Sequence, residues 1–138
     1  MASGTRIRRP GRILVIDDEL AFATTLQQEL SEDNYVVLVT EASAGLARLE
    51  RGEVYDVLLC ELMMPDMDGI DLHRRVSAKH PDVAARMVFM TEDATTARID
   101  AFFGRVSNIL LEKPVDIEGL RALIDRRVGG DRVTAAAS

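Results

Sequence analysis

The sequence predicts a doubly wound α/β fold: a five-stranded parallel sheet in the order 2-1-3-4-5, carrying five helices. Three observations predict it. Short continuous apolar runs recur at 13–16, 35–39, 57–60, 87–90 and 109–111, the mark of strands buried on both faces. Segments with apolar residues at helical spacing separate these runs in strict alternation, which implies parallel strands with helices on both sides. Right-handed crossovers leave few topologies, and the order chosen is matched to known doubly wound proteins rather than derived.

Residues 1–11 read as a disordered leader, 12–128 as the folded domain and 129–138 as a flexible tail. After the first run, Leu20, Ala23, Leu26, Gln27 and Leu30 follow at helical spacing with apolar residues on one side. The run 35–39 is rich in β-branched residues, as strands are. A short helix over 44–51 has Ser43 to cap its start and Gly52 to stop it. After the third run, Met64 to Gly69 form a loop with Pro, Asp and Gly turn chemistry. The next helix spans 70–80 and stops before Pro81. A helix over 94–103 ends near Gly104, and Ile117, Leu120, Leu123, Ile124 and Val128 line one face of a last helix. Asp116 stands at its start, and Gly129 and Gly130 at its end.

With 138 residues, 47% of them hydrophobic, one domain with a proper core is expected. No apolar run approaches the roughly 20 residues that span a bilayer, and the N-terminal arginines lack the apolar stretch of a secretory signal. One cysteine forbids an internal disulfide, so a cytoplasmic location is expected. The net charge of −6 is uneven. Residues 1–12 hold Arg6, Arg8, Arg9 and Arg12 and no acid, which leaves 13 basic and 23 acidic side chains in the rest, a net of −10. Such a body repels nucleic acid phosphates. The arginines beside Gly and Pro read as a solvated linker rather than a nucleic-acid arm.

In doubly wound sheets ligands bind at the carboxyl ends of strands, near the point where the strand order reverses. The first strand ends in Asp17-Asp18-Glu19, the third in Glu61, the fourth in Thr91 and the fifth in Lys113-Pro114. Acids, a hydroxyl and an ammonium therefore converge. Clustered carboxylates want a counter-charge. Their hard oxygens suit Mg²⁺, while a lysine and a hydroxyl suit a phosphoryl anion.

Four pieces of the sequence, in order and at these strand ends, resemble the receiver domain of response regulators and hybrid sensor kinases. They are Ile13-Leu14-Val15-Ile16-Asp17-Asp18-Glu19, the stretch from Asp56 through Glu61-Leu62-Met63-Met64-Pro65 to Gly69, Phe89-Met90-Thr91, and Leu110-Leu111-Glu112-Lys113-Pro114. The resemblance covers 12–128 and implies a CheY-like, flavodoxin-like module of a two-component phosphorelay, not an enzyme. Its implied partners are a histidine kinase, a phosphotransfer protein or an output domain. The resemblance makes Asp17 and Asp18 the acidic pair for Mg²⁺, Asp18 the more direct ligand, with Glu61 and the Met63 backbone carbonyl completing the set. Thr91 becomes the switch hydroxyl and Lys113 the partner of the acceptor and its phosphoryl group, with a cis Lys113–Pro114 bond. The family's contact face, the helix over 94–103, the fifth strand and the last helix, includes Phe102, Phe103, Arg105 and Arg121 and offers a route to a homodimer. The stretch 95–117 looks more like the receiver of a hybrid kinase.

Two positions depart from the family pattern. The acceptor position carries Glu61 instead of aspartate, and the aromatic switch position carries Leu110. An extra methylene moves the carboxylate by roughly 1.5 Å, and misplacement by about 1 Å can cost a hundredfold in rate. Efficient phosphorylation is therefore not expected, and Thr91 and Lys113 are expected to bond to Glu61 itself as a weak mimic of the phosphorylated state. Alternatives are slow acceptance on Glu61, an engineered replacement of aspartate, and a flavin or nucleotide carrier, against which the Asp-Asp-Glu turn counts. Taken singly, Asp17 and Asp18 suit a helix start, Glu61 a solvated loop, and Cys60 a small buried hydrophobe. Met63, Met64 and Met67 are expected to pack, and His73 and His80 to lie on the surface.

Overall fold

Strand backbones need every amide paired, and here five parallel strands pair one another in the order β2-β1-β3-β4-β5. The computed structural model describes residues 8–137, with side chains over 8–129. The strands are β1 (Gly11–Ile16), β2 (Asn34–Val39), β3 (Val57–Glu61), β4 (Met87–Thr91) and β5 (Leu110–Glu112). Between and after them lie α1 (Leu20–Leu30), α2 (Ala42–Glu50), α3 (Gly69–Lys79), α4 (Pro81–Ala85), α5 (Ala97–Phe103) and α6 (Ile117–Ala137).

Alternate strand residues point to opposite faces, and each face has its own apolar layer. Leu14, Ile16, Leu58, Cys60 and Phe89 pack with Leu49 of α2, Leu72 and Val76 of α3 and Phe102 of α5. Ile13, Val15, Leu59, Val88 and Met90 pack with Leu26 and Leu30 of α1 and with Leu120 and Ile124 of α6. This double burial is why the runs read as continuous rather than alternating.

The structure corrects several boundaries. Among the described residues the helices number six, not five: α3 ends before Pro81 as expected, but Pro81 then opens the one-turn α4, a position where a missing N–H costs nothing. The fifth helix begins at Ala97 rather than 94, because Thr96 takes the cap and its side chain accepts from Ile99 N. Ser43 does not cap α2. The N-cap residue is Glu41 without a side-chain cap, and Asp66 instead reaches across to accept from Ala42 N at 3.3 Å and Ser43 N at 3.0 Å. Gly129 and Gly130 do not end α6, which continues to Ala137; glycine weakens a helix without forbidding it. Leu20, placed on the apolar side of α1, is 59% exposed.

Residues 1–7 of the expected leader lie outside the described residues. Its end is held: Gly11 already belongs to β1. Arg8 Nε donates to Asp125 Oδ1 at 2.9 Å and Arg8 Nη1 to Asn34 Oδ1 at 3.1 Å. Arg9 grips both oxygens of Asp56, at 2.7 and 2.9 Å.

Candidate functional site

The sheet ladder brings the predicted strand ends to one pole. Asp17 N donates to Val39 O, Leu62 N to Met90 O and Lys113 N to Thr91 O, at 3.1, 2.9 and 2.8 Å. The loop after Glu61 folds back tightly. Gly69 N donates to Leu62 O at 2.8 Å, and a Cβ at position 69 would lie 2.9 Å from the Glu61 carbonyl oxygen, so a side chain there would displace the backbone beside Glu61. Asp68 caps α3 by accepting from Asp71 N at 2.8 Å, and Arg98 of α5 holds Asp68 at 3.0 Å.

Lys113 is the hub. Its Nζ lies 2.6 Å from Glu61 Oε1, 3.0 Å from Asp17 Oδ2 and 3.2 Å from Glu19 Oε1. The same ammonium sits 4.2 Å from the centroid of the Phe22 ring, whose face attracts cations. Asp17 and Glu61 are both buried, and buried charge persists where it is paired. Their other oxygens are also engaged: Glu61 Oε2 accepts from Met63 N at 3.1 Å and Asp17 Oδ1 from Glu19 N at 2.9 Å. Burial pushes the Glu61 carboxyl above its ordinary range, against the pull of Lys113 and the Met63 amide. Lys113 loses stability as a cation through burial, yet its bonds to Glu61 and Asp17 outweigh that and raise its pKa.

Thr91 reaches the same pole but not Glu61. Its Oγ1, buried, donates to Asp93 O at 3.2 Å and accepts from Asp93 N at 3.3 Å. The expected Thr91–Glu61 bond is therefore absent, because a backbone partner two residues on satisfies the hydroxyl locally. The cis Lys113–Pro114 bond is present. Leu110 is half-buried against the layer that contains Phe89, its neighbour across the β4–β5 ladder.

Other assignments change. Met64 is buried and Met67 packs against the core, but Met63 is 61% exposed. His73 is half-buried rather than fully exposed: its ring packs edge-on to Phe102, centroids 5.1 Å apart, and burial lowers its pKa. Phe102 is buried, so it presents no contact surface, while Arg105 is exposed. Arg121 is bound to Glu29 at 3.0 Å. Cys60 is fully buried, as expected of a small hydrophobe, and burial raises its thiol pKa. Sequence reasoning counted Glu19 among the converging acids without pairing it to Lys113, and gave no role to Phe22. The signal for Phe22 was an aromatic residue in the first turn of the helix that follows the acidic strand end.

A hollow of about 310 Å³ opens over the hub, lined by Asp18, Glu61, Met63, Thr91 and Glu92 among others. Asp18 is exposed there. Of the oxygen ligands that the resemblance assigned to Mg²⁺, two are shared with the lysine. Asp17 and Glu61 turn an oxygen each to Lys113, while Asp18 is exposed beside them. The ammonium supplies the counter-charge that the carboxylates need.

Among the described residues no helix is long and apolar enough to cross a membrane. Residues 13–125 match the response regulator receiver domain family. The transcriptional regulatory protein ZraR of Escherichia coli is 28% identical over 114 residues, covering 83% of this chain and 25% of that protein. The response regulator ArlR of Staphylococcus haemolyticus is 29% identical, covering 82% of this chain and 60% of that protein. The chain thus spans about a quarter of the first relative's length. A CheY-like receiver domain from Methanospirillum hungatei superimposes with a TM-score of 0.73 at 24% identity, covering 86% of this chain and 96% of that one. A receiver domain of a Francisella response regulator gives 0.74 at 20%, covering 85% and 95%. With the match running through nearly all of the sheet and the strand order in agreement, this chain belongs to the response regulator receiver domains, the receiving modules of two-component signalling.

Proposed function

We propose that this receiver signals without being phosphorylated, as a docking module for a histidine kinase, a phosphotransfer protein or an output domain. Glu61 stands in the acceptor's place and makes with its own carboxylate the contact to Lys113 that the acceptor and its phosphoryl group would otherwise share. The observation that carries this reading is the 2.6 Å ion pair between Glu61 Oε1 and Lys113 Nζ.

Phosphoryl acceptance requires a carboxylate oxygen aimed in line at phosphorus. Here one oxygen of Glu61 faces Lys113 and the other the Met63 amide. Asp18, Glu19, Glu92 and Asp93 line the hollow above, so an incoming dianionic donor meets negative charge. In the family pattern Asp17, Asp18 and the Met63 carbonyl would hold Mg²⁺, which neutralises charge on the donor. With Asp17 and Glu61 paired to the ammonium, Mg²⁺ binds weakly. The docking face on this reading is α5, β5 and α6, and a second copy of the chain is one partner it admits. Its reach is polar rather than aromatic, with Arg105 exposed and Phe102 buried.

Incubation with Mg²⁺ and a small acyl phosphate, followed by intact-mass measurement, tests the reading. The native chain is expected to gain no phosphoryl group, while Glu61→Asp is expected to gain one. Modification of the native chain as readily as the variant would sink the proposal.

A further inference from the structure

Far from the acceptor pocket, at the amino-terminal end of the sheet, two arginines of α6 line one hollow. Arg127 of α6 donates through Nη1 to the backbone carbonyl of Arg86 at 2.9 Å. Its guanidinium is half-buried, and it shares with Arg126, Ile109 and Leu123 the lining of a hollow of about 240 Å³. Arg86 points its own Nε at Tyr55 O, 3.2 Å away, and its charge faces the carboxylates of Asp82, at 3.7 Å, and Asp56. Among the described residues Arg127 forms no ion pair, and the other arginines without one, Arg12, Arg75, Arg105 and Arg126, are exposed.

A charged side chain out of water ordinarily has a partner. Arg127 has the reverse: burial lowers its pKa, and the neighbouring charges of Arg86 and Arg126 lower it further. The domain carries an excess of acids, so the lack of a carboxylate here is not for want of them. We propose that Arg126 and Arg127 form a binding site for a small tetrahedral oxyanion, phosphate or sulfate. Guanidinium donors match such oxygens in pairs. The volume decides the ligand's size, because drug-sized ligands and cofactors occupy about 300–1,000 Å³, and this hollow is smaller. Ile109 and Leu123 supply an apolar wall that strengthens the contact by excluding water.

The site is tested on the full chain by calorimetric titration with inorganic phosphate at constant ionic strength, comparing native protein, Arg127→Gln and the exposed control Arg105→Gln. Saturable binding is expected in the native protein and the control, and weaker by at least about tenfold in Arg127→Gln. Equal binding in all three, or a non-saturable response in the native protein, overturns the proposal. A second measurement does not depend on binding. In chloride alone, Arg127→Gln relieves repulsion and is expected to unfold at the same or a higher temperature than native. A lower midpoint would make Arg127 a structural residue and would also overturn it.

Discussion

Lys113 answers two buried carboxylates at once, Asp17 and Glu61. Removing it leaves both charges without their cation. Lys113→Met is expected to lower unfolding free energy by about 3 kcal/mol at neutral pH, read as a shift of the urea midpoint. The pH dependence has a definite sign. A lysine whose folded pKa is raised stabilises the fold fully below its ordinary value of 10.5, and that contribution disappears as pH rises above it. Native protein is therefore expected to lose stability above that pH more steeply than Lys113→Met, in urea titrations at a series of alkaline pH values. The acids and the lysine were legible in the sequence because strand ends in this topology are fixed by the ladder. The Thr91–Asp93 contact was not, since it depends on how a short loop turns after the strand.

Segments between elements carry a different kind of information. Asp66 lies in the loop before α3 but satisfies two amides at the start of α2. Asp66→Ala is expected to cost about 1 kcal/mol, seen as a lowered thermal midpoint, with Ser43→Ala nearly silent. Sequence pattern assigned that cap to Ser43 because local spacing reveals neighbours along the chain, not a carboxylate delivered from another loop. The connection from α2 to β3 holds a second local network, in which Tyr55 OH donates to Glu53 and Arg48 and Arg51 pair with it. These contacts, Tyr55 foremost and then Arg51 and Arg48, hold the Glu53 carboxyl down at about 2. Stability from this depressed acid is present above the ordinary carboxylate range and is lost as pH falls toward 2. NMR titration of Tyr55→Phe is expected to show Glu53 protonating at higher pH than in the native chain. The short α4 and the continuation of α6 past Gly129 show the same limit, because a proline that stops one helix also starts another and glycine propensity is only a weak bias.

Across the whole molecule, the two apolar layers follow directly from the continuous runs, and the strand order came from matching a known topology. The basic leader did not follow. Composition described it as a solvated linker, yet Arg8 joins β2 to α6 through Asn34 and Asp125, with only 4% of its side chain exposed. An ion pair across distant elements leaves no periodic trace. Arg8→Ala is expected to cost about 2 kcal/mol, measured by chemical denaturation, because it loosens three segments together.

On the proposed function, the Glu61–Lys113 pair sets a clock as well as a geometry. A phosphoryl group on a receiver is hydrolysed, so the message it carries expires while the protein survives. A carboxylate built into the polypeptide does not hydrolyse. If that pair is what partners read, the message begins at translation and ends at proteolysis, and the cell adjusts it only by changing how many copies of the domain exist.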